Sequence, residues 1–302
     1  MQREVTTRDL GALDGPVLVF GGPYSNLEAA EAIRAEARRL GIPPARTICT
    51  GDVVAYCADP GATVAHIRDW GIPVVLGNVE EQLGAGAADC ACGFTPGSAC
   101  EALSAQWYAH AESEISADDR RWMAGLPRVI RFTLGGRRLA ALHGGASRIN
   151  RWVFASTPAA EKLAEITLAE AAGAPLDGAP LDGVVAGHCG LPFVDFPDGR
   201  LWCNAGTVGM PANDGTPRAW YALLTPERRG SLTIEMRPLD YDFRQAAQKM
   251  RDRGLAGGYA RALETGLWPP VDILPPSERA AAGCPIGPVR RHWMLAQRSA
   301  AA

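Results

Sequence analysis

Residues 17–21 form a short apolar run that closes on glycine, the pattern of a strand buried on both faces. Leu27, Ala30, Ile33, Ala37 and Leu40 then recur at helical spacing before Gly41, which predicts a helix with Ser25 and Glu28 as its capping box. The alternation repeats with a strand at residues 47–50, a helix opened by Asp59 and Pro60, and a strand at residues 73–76. Right-handed crossovers would set these strands in one sheet.

Between residues 84 and 125 the chain turns to Ala, Gly and Cys and then to helical stretches, with Ser116 and Asp119 as a cap; this reads as an inserted helical element. Two apolar runs over residues 129–142 flank Gly135 and Gly136 and predict a hairpin. A helix near residues 157–172 precedes strands at 184–186, 193–196, 201–203, 220–224 and 231–237. Strands enough for two sheets, with helices at both ends of the sequence, make a layered α/β sandwich the economical architecture. The sequence APLDG at residues 174–178 is repeated at 179–183 and reads as a surface-loop duplication without chemistry. An amphipathic helix over residues 243–253 opens a final Pro-rich and basic stretch. The expected division is therefore a main domain over 1–243, with its insert at about 84–125, and a C-terminal helical appendage with a mobile tail over 244–302.

Composition narrows the function classes. With 302 residues, 47% hydrophobic and 21% charged, the chain has material for one large α/β domain or two ordinary ones. Residues 1–10 carry charge where a signal peptide needs apolar residues, and no later run is long enough to span a bilayer, so a cytoplasmic location without a membrane partner is expected. A net charge of -3 gives no broad positive field, and nucleic acid is not an expected partner. Small anionic ligands need only local positive charge. Oligomeric state is not legible. The eight cysteines are expected to be free thiols or metal ligands rather than disulfides. Cys49, Cys57, Cys189 and Cys203 lie in or beside apolar strand-like segments, where a thiol packs as a small hydrophobe. Cys90, Cys92 and Cys100 instead share a Gly-rich loop.

In an open α/β sheet, ligands collect at the carboxyl ends of strands. Five such places carry small residues beside a polar side chain: GGPYSN at 21–26, GD at 51–52, GNVEE at 77–81, HGG at 143–145 and GHCG at 187–190. Of five histidines, His143 and His188 stand directly after strands, whereas His66 and His110 fall within helices and His292 in the tail. The latter three read as solvated or core histidines. His143 and His188 read either as ligands that join Asp52 and Asn78 or as hydrogen-bonded rim histidines.

These blocks resemble the calcineurin-like metallophosphoesterases, in particular the compact bacterial subfamily with phosphodiesterases and diadenosine-tetraphosphatase-like members. VLVFGGPYSNLEA stands where that family has a strand and Asp-x-His-x-Asn; TICTGDVVAYCADP matches its Gly-Asp block, and VVLGNVEE its Gly-Asn-His-Asp/Glu block. LHGG, GHCGLPF and NAGTVGMP match the single-histidine block, the Gly-His-x-His block and the block after it, in order, over about residues 17–224. The resemblance implies an α/β fold, a four-layer αββα sandwich of two mixed sheets, and hydrolysis of a phosphate mono- or diester by metal-activated water. Carried over residue by residue, it gives one metal its full set, Asp52, Asn78, His143 and His188. The other metal retains only the shared Asp52, because its private positions are Gly22, Tyr24 and Gly190. The family's phosphate-side histidine is Val79 here, so no catalytic acid is identified. One divalent transition metal, Zn, Mn or Fe, is the expected cofactor. The alternative is a catalytically weak relative that binds a phosphorylated or nucleotide ligand.

Other residues bear on that site. Tyr24 reads as a core or rim tyrosine or as a phenolate ligand. The loop 89–100 follows the GNVEE block closely, and its Cys90, Cys92 and Cys100, with Cys189, are candidate accessory metal or redox thiols. Arg148 and Arg151, just after HGG, are candidate phosphate contacts or solvated arginines. Asn204 either orients the site through its amide or forms a turn. In the family, an acidic residue at Glu80 or Glu81 supports the histidine that this chain lacks.

Overall fold

The segment Val17–Phe20 is buried at all four residues, so it must be covered on both faces, and the layering follows from that requirement. The computed structural model describes residues 6–93, 97–172, 180–255, 257–269 and 271–294. Among them the chain forms β1 (Thr7–Leu13), β2 (Val17–Phe20), α1 (Leu27–Arg39), β3 (Thr47–Cys49), α2 (Pro60–Trp70), α3 (Asn78–Ala85), α4 (Ala99–Glu114), α5 (Ala117–Ala124), β4 (Val129–Leu134) and β5 (Arg137–Ala141). It continues as α6 (Ala159–Ala171), β6 (Gly183–Ala186), β7 (Phe193–Asp195), β8 (Leu201–Asn204), β9 (Ala219–Pro226), β10 (Leu232–Leu239), α7 (Phe243–Asp252), α8 (Gly258–Thr265), α9 (Pro276–Ala280) and β11 (Val289–Trp293). The APLDG duplication falls largely on residues 173–179, outside the described residues, as do the side chain of Cys100 and the final residues of the tail.

One sheet runs in the order β1-β4-β5-β6-β8-β7 and the other in the order β11-β10-β9-β2-β3. Both are mixed: β2 pairs parallel with β3 but antiparallel with β9, and β5 pairs antiparallel with β4 but parallel with β6. Alternation along β2 turns Val17 and Val19 toward the other sheet, where they meet Phe132, Leu139, Val185 and Leu201. Leu18 and Phe20 turn the other way, into a core shared with Ile33 of α1 and Ile67 of α2. On the far side, Ile166 and Ala169 of α6 pack against Ala140, Val184 and Trp202. Helix, sheet, sheet and helix layers make the expected αββα sandwich. Each fully buried Leu, Ile or Phe in these layers contributes about 1.5–3 kcal/mol.

Several local expectations shift. Tyr24 and Ser25 both adopt positive φ, 53° and 57°, which carries the helix start past Ser25. Asn26 is the cap, its Oδ1 accepting from the Ala29 N–H at 3.1 Å, while Ser25 Oγ accepts from the Ala55 N–H at 3.2 Å. Residues 73–76 make only an isolated parallel bridge, Val74 with Cys49. The ladder stops there because the Leu76 N–H turns to the Pro127 carbonyl at 2.8 Å. Ser116 and Asp119 cap α5 as the sequence predicts.

The segment 244–302 supplies helices α7–α9 and also strand β11, which pairs with β10 and buries Trp293. Lys249 of α7 ties that helix to Glu28 and Asp59, each at 2.5 Å. No helix among the described residues is long and apolar enough to cross a membrane.

Candidate metal centre

Gly51 has φ 93°, and a Cβ there would lie 2.7 Å from the Gly77 nitrogen, so only glycine lets the loops after β3 and before α3 touch. That contact brings Asp52, itself at φ 53°, against the first turn of α3. Glu80 fixes the approach: its Oε2 accepts from the Asp52 N–H at 2.7 Å and the Gly77 N–H at 3.2 Å, and its Oε1 from the Val54 N–H at 3.2 Å. The Val79 N–H donates to Asp52 Oδ1 at 3.3 Å. A carboxylate at a helix N-terminus that satisfies loop donors as well is a clamp for the Asp52 loop. Burial and the neighbouring Asp52 charge push the Glu80 carboxyl up to about 7.

His143 follows β5, and its Nδ1 meets the Thr50 carbonyl at 2.7 Å, which assigns the proton to Nδ1 and leaves Nε2 with a lone pair. That Nε2 lies 3.0 Å from Asn78 Oδ1, 3.1 Å from His188 Nδ1 and 3.3 Å from Asp52 Oδ2. Asn78 is oriented by its Nδ2, which donates to the Cys90 carbonyl at 2.8 Å. His188 has φ 62°, and its loop is held by Asn204, whose Nδ2 donates to the Gly187 carbonyl at 2.5 Å and to Cys189 Sγ at 3.1 Å. All four side chains are buried.

Their charges adjust to one another. Burial opposes ionisation of Asp52, but His143, His188 and the Val79 N–H together hold the carboxyl below its ordinary value. Burial likewise opposes a charge on His143, but Asp52, the Thr50 carbonyl and Glu80 together raise its value. His188 is pushed down to about 3 by burial and by His143. Ligand atoms of Asp52, His143 and His188 lie within 4.8 Å of one another, and with Asn78 Oδ1 they form a two-oxygen, two-imidazole set that could hold a divalent cation.

Where the family resemblance puts the private ligands of a second ion, the chain has aromatic rings. A Cβ on Gly22, which has φ 36°, would lie 2.4 Å from the Tyr24 ring, and one on Gly190 would lie 3.1 Å from Trp268. Tyr24 is buried, and burial followed by the Asp52 charge raises its hydroxyl well above the ordinary value, which keeps it a neutral phenol. Val79, in the first turn of α3, is buried within the apolar core.

The remaining candidates separate. Cys90 and Cys92 are joined as a disulfide, contrary to the expectation of free thiols. Ala91 at φ 46° turns the C-x-C backbone so that the two Cα atoms stand 5.3 Å apart, within disulfide range. Cys189 turns to the Leu191 carbonyl and Asn204 and stays outside the ligand cluster, while Cys49, Cys57 and Cys203 are buried as expected. Arg151 is engaged by Glu161 at 2.6 Å and Glu165 at 3.1 Å; Arg148 is exposed. Asn204 therefore orients the His188 loop. Glu81 pairs with Arg128 at 3.1 Å. The clamp role of Glu80 was not legible as such, although an acid in the first turn after GN was its signal. His292 lies on β11 near Thr233, away from the cluster.

No family model matches the chain. An uncharacterised protein of Methanocaldococcus jannaschii is 23% identical over 250 residues, which cover 78% of this chain and 91% of that protein. Among solved structures, a metallophosphoesterase from Sphaerobacter thermophilus superposes with a TM-score of 0.63 at 18% identity, covering 83% of this chain and 99% of its own. A hypothetical protein from Pyrococcus horikoshii OT3 superposes with a TM-score of 0.68 at 15% identity, covering 83% and 98%. Together with the ordered strand-end blocks, these likenesses identify the fold of this chain as that of the calcineurin-like phosphoesterases.

Proposed function

We propose that the protein is a phosphoesterase that works with a single divalent metal ion held by Asp52, Asn78, His143 and His188. One observation carries this reading: Asn78 Oδ1, His188 Nδ1 and Asp52 Oδ2 converge around His143 Nε2 at 3.0–3.3 Å, while His143 Nδ1 and Asn78 Nδ2 are turned to the Thr50 and Cys90 carbonyls. Lone pairs brought together in a buried site repel unless a cation joins them, so the donor set fits a bound metal. Nitrogen and oxygen donors in this ratio suit Zn, Mn or Fe.

A divalent ion there supplies Lewis acidity toward a phosphoryl oxygen and lowers the pKa of water. The chain's own residues do the rest. Glu80 fixes the Asp52 loop, the Thr50 carbonyl sets the His143 tautomer, and Asn204 holds the His188 loop. Val79 offers no proton to a leaving group, so esters with readily departing groups are the expected substrates. Tyr24 and Trp268, packed against Gly22 and Gly190, favour one ion over two. The same pair, with Val79, favours a second reading, a weak or inactive relative that binds a phosphorylated ligand.

Elemental analysis combined with hydrolysis of nitrophenyl phosphate and bis-nitrophenyl phosphate separates the two. The enzyme reading requires one metal per chain and activity that disappears in Asp52→Asn and His188→Ala. Two ions per chain, or none, overturns it; one tightly held ion with background rates leaves the binding role.

A further inference from the structure

Among the described residues three tyrosines are buried, Tyr24, Tyr108 and Tyr221. A buried phenol ordinarily finds a partner for its hydroxyl, and two of these do: Tyr108 donates to the Ala87 carbonyl at 2.9 Å and Tyr221 to Glu36 at 2.6 Å. The Tyr24 hydroxyl bonds to none of the described residues. Tyr24 lines, with His188, Gly190 and Thr207, the cleft that opens beside the proposed metal ligands. Its unused donor is therefore held at the edge of the candidate metal centre.

Backbone and packing fix where that donor stands. Tyr24 has φ 53°, and its N–H donates to the Asp52 carbonyl at 3.2 Å, which ties its loop to the Asp52 loop. The atoms nearest to a Cβ built on Gly22 are Tyr24 Cζ at 2.4 Å, Cε1 at 2.6 Å and Cε2 at 2.7 Å. It is the hydroxyl-bearing end of the ring, not its stem, that fills the place where a side chain of residue 22 would begin. The Tyr56 ring meets Tyr24 edge to face, with centroids 4.8 Å apart, and holds the phenol in that orientation. Burial, and then the Asp52 charge, keep the proton on the phenol oxygen at neutral pH. Position 22 is where the family resemblance expects a ligand of a second ion. The chain thus presents a neutral hydrogen-bond donor on the side where that ion would supply positive charge.

We infer that the Tyr24 hydroxyl donates a hydrogen bond to a non-bridging oxygen of a phosphoryl group held beside Asp52, Asn78, His143 and His188. This role rests on the reading of that centre as one that handles phosphate esters. Non-bridging phosphoryl oxygens carry more negative charge than a single divalent ion neutralises, and a donor fixed beforehand by packing stabilises the remainder without reorganisation. The hydroxyl keeps its hydrogen throughout, and the leaving group departs without a proton from Tyr24, in keeping with Val79 at the position of the family's histidine.

Tyr24→Phe tests this, because it removes one oxygen and leaves the ring that packs on Gly22 and Tyr56. Calorimetry on the metal-loaded full-length protein should show inorganic phosphate bound about tenfold more weakly by Tyr24→Phe, with metal content unchanged. Hydrolysis of bis-nitrophenyl phosphate should lose about ten- to hundredfold in kcat. That loss should be the same for leaving groups of different basicity, and the pH profile should keep its shape. Phosphate affinity and kcat both within about twofold of wild type overturn the inference. So does a loss that grows with leaving-group basicity, which would make Tyr24 an acid, or a loss of metal, which would make it a ligand. Weaker phosphate binding by Tyr24→Phe in a protein that hydrolyses no ester overturns the proposed activity and leaves the hydrogen bond standing. Hydrolysis that Tyr24→Phe retains in full, with phosphate affinity unchanged, does the reverse.

Discussion

Replacing Glu80 is the sharpest test of how the site is held together. Its carboxylate accepts from the N–H groups of Asp52, Val54 and Gly77, and the residue is fully buried. Glu80→Ala strands three buried donors, each costing about 1–3 kcal/mol when unpaired. Two effects reduce the sum: water can enter the space, and the repulsion between Glu80 and Asp52 is removed. A net loss of about 3–5 kcal/mol is expected.

Glu80→Gln keeps the shape and one acceptor oxygen. That oxygen can serve Asp52 and Gly77 as Oε2 does now, while the new amide faces the Val54 donor, so one bond is lost and the cost falls to about 1–3 kcal/mol. Urea unfolding of metal-stripped protein, with midpoint and slope both fitted, measures the two values. Alanine must cost more than glutamine, and both variants must bind metal more weakly because Asp52 is no longer fixed. An alanine variant within about 1 kcal/mol of wild type, or equal costs for the two, would refute the clamp.

Proton linkage offers a second reading of the same residue. Because the folded-state value of Glu80 is raised from 4.5 to about 7, the native protein holds a proton that the unfolded chain releases. The margin of wild type over Glu80→Gln should therefore narrow as pH rises from 4.5 to about 7, and a margin that widens is incompatible with this environment. Metal binding should release a proton from His143, whose pKa is raised, but none from His188, held near 3. Affinity should then climb by about tenfold per pH unit until His143 has titrated, and calorimetry in buffers of different ionisation enthalpy counts the proton. Gly22→Asp should destabilise the protein by more than about 2 kcal/mol without adding a second ion, since its Cβ would meet the Tyr24 ring at 2.4 Å, and pairing it with Tyr24→Ala should recover part of the loss. Reducing the Cys90–Cys92 disulfide should weaken metal binding by loosening the carbonyl that orients Asn78, and titration with and without reductant reads the effect.

The four proposed ligands were legible because each follows a buried apolar strand or bridge, where chain direction alone carries side chains to a common edge. The clamp was not. Glu80 stands in the first turn of a helix beside Glu81, and only the fold reveals that one acid faces three loop donors while the other pairs with Arg128. Strands β1 and β11 escaped for a related reason: both lie at sheet edges, and their exposed, charged faces erase the apolar periodicity that marks the central strands. Trp268 was unreadable as a site residue because its approach to Gly190 is a long-range packing contact, fixed locally by its N–H donating to the Pro211 carbonyl at 2.7 Å.

That contact changes the meaning of the missing ligands. A site that had only lost side chains at Gly22 and Gly190 would leave a wet hollow beside Asp52, and a stray ion could still settle there. Here rings occupy that side of the site: the Tyr24 ring fills the place where a side chain on Gly22 would begin, and Trp268 packs tightly over Gly190. Gly22 and Tyr24 are therefore coupled, and a side chain added at Gly22 alone meets the Tyr24 ring rather than open space. The contacts tie Gly22 to Tyr24 and Gly190 to Trp268 as two separate pairs, so each glycine is set by its own aromatic neighbour while Asp52, Asn78, His143 and His188 stay ordered on the other side.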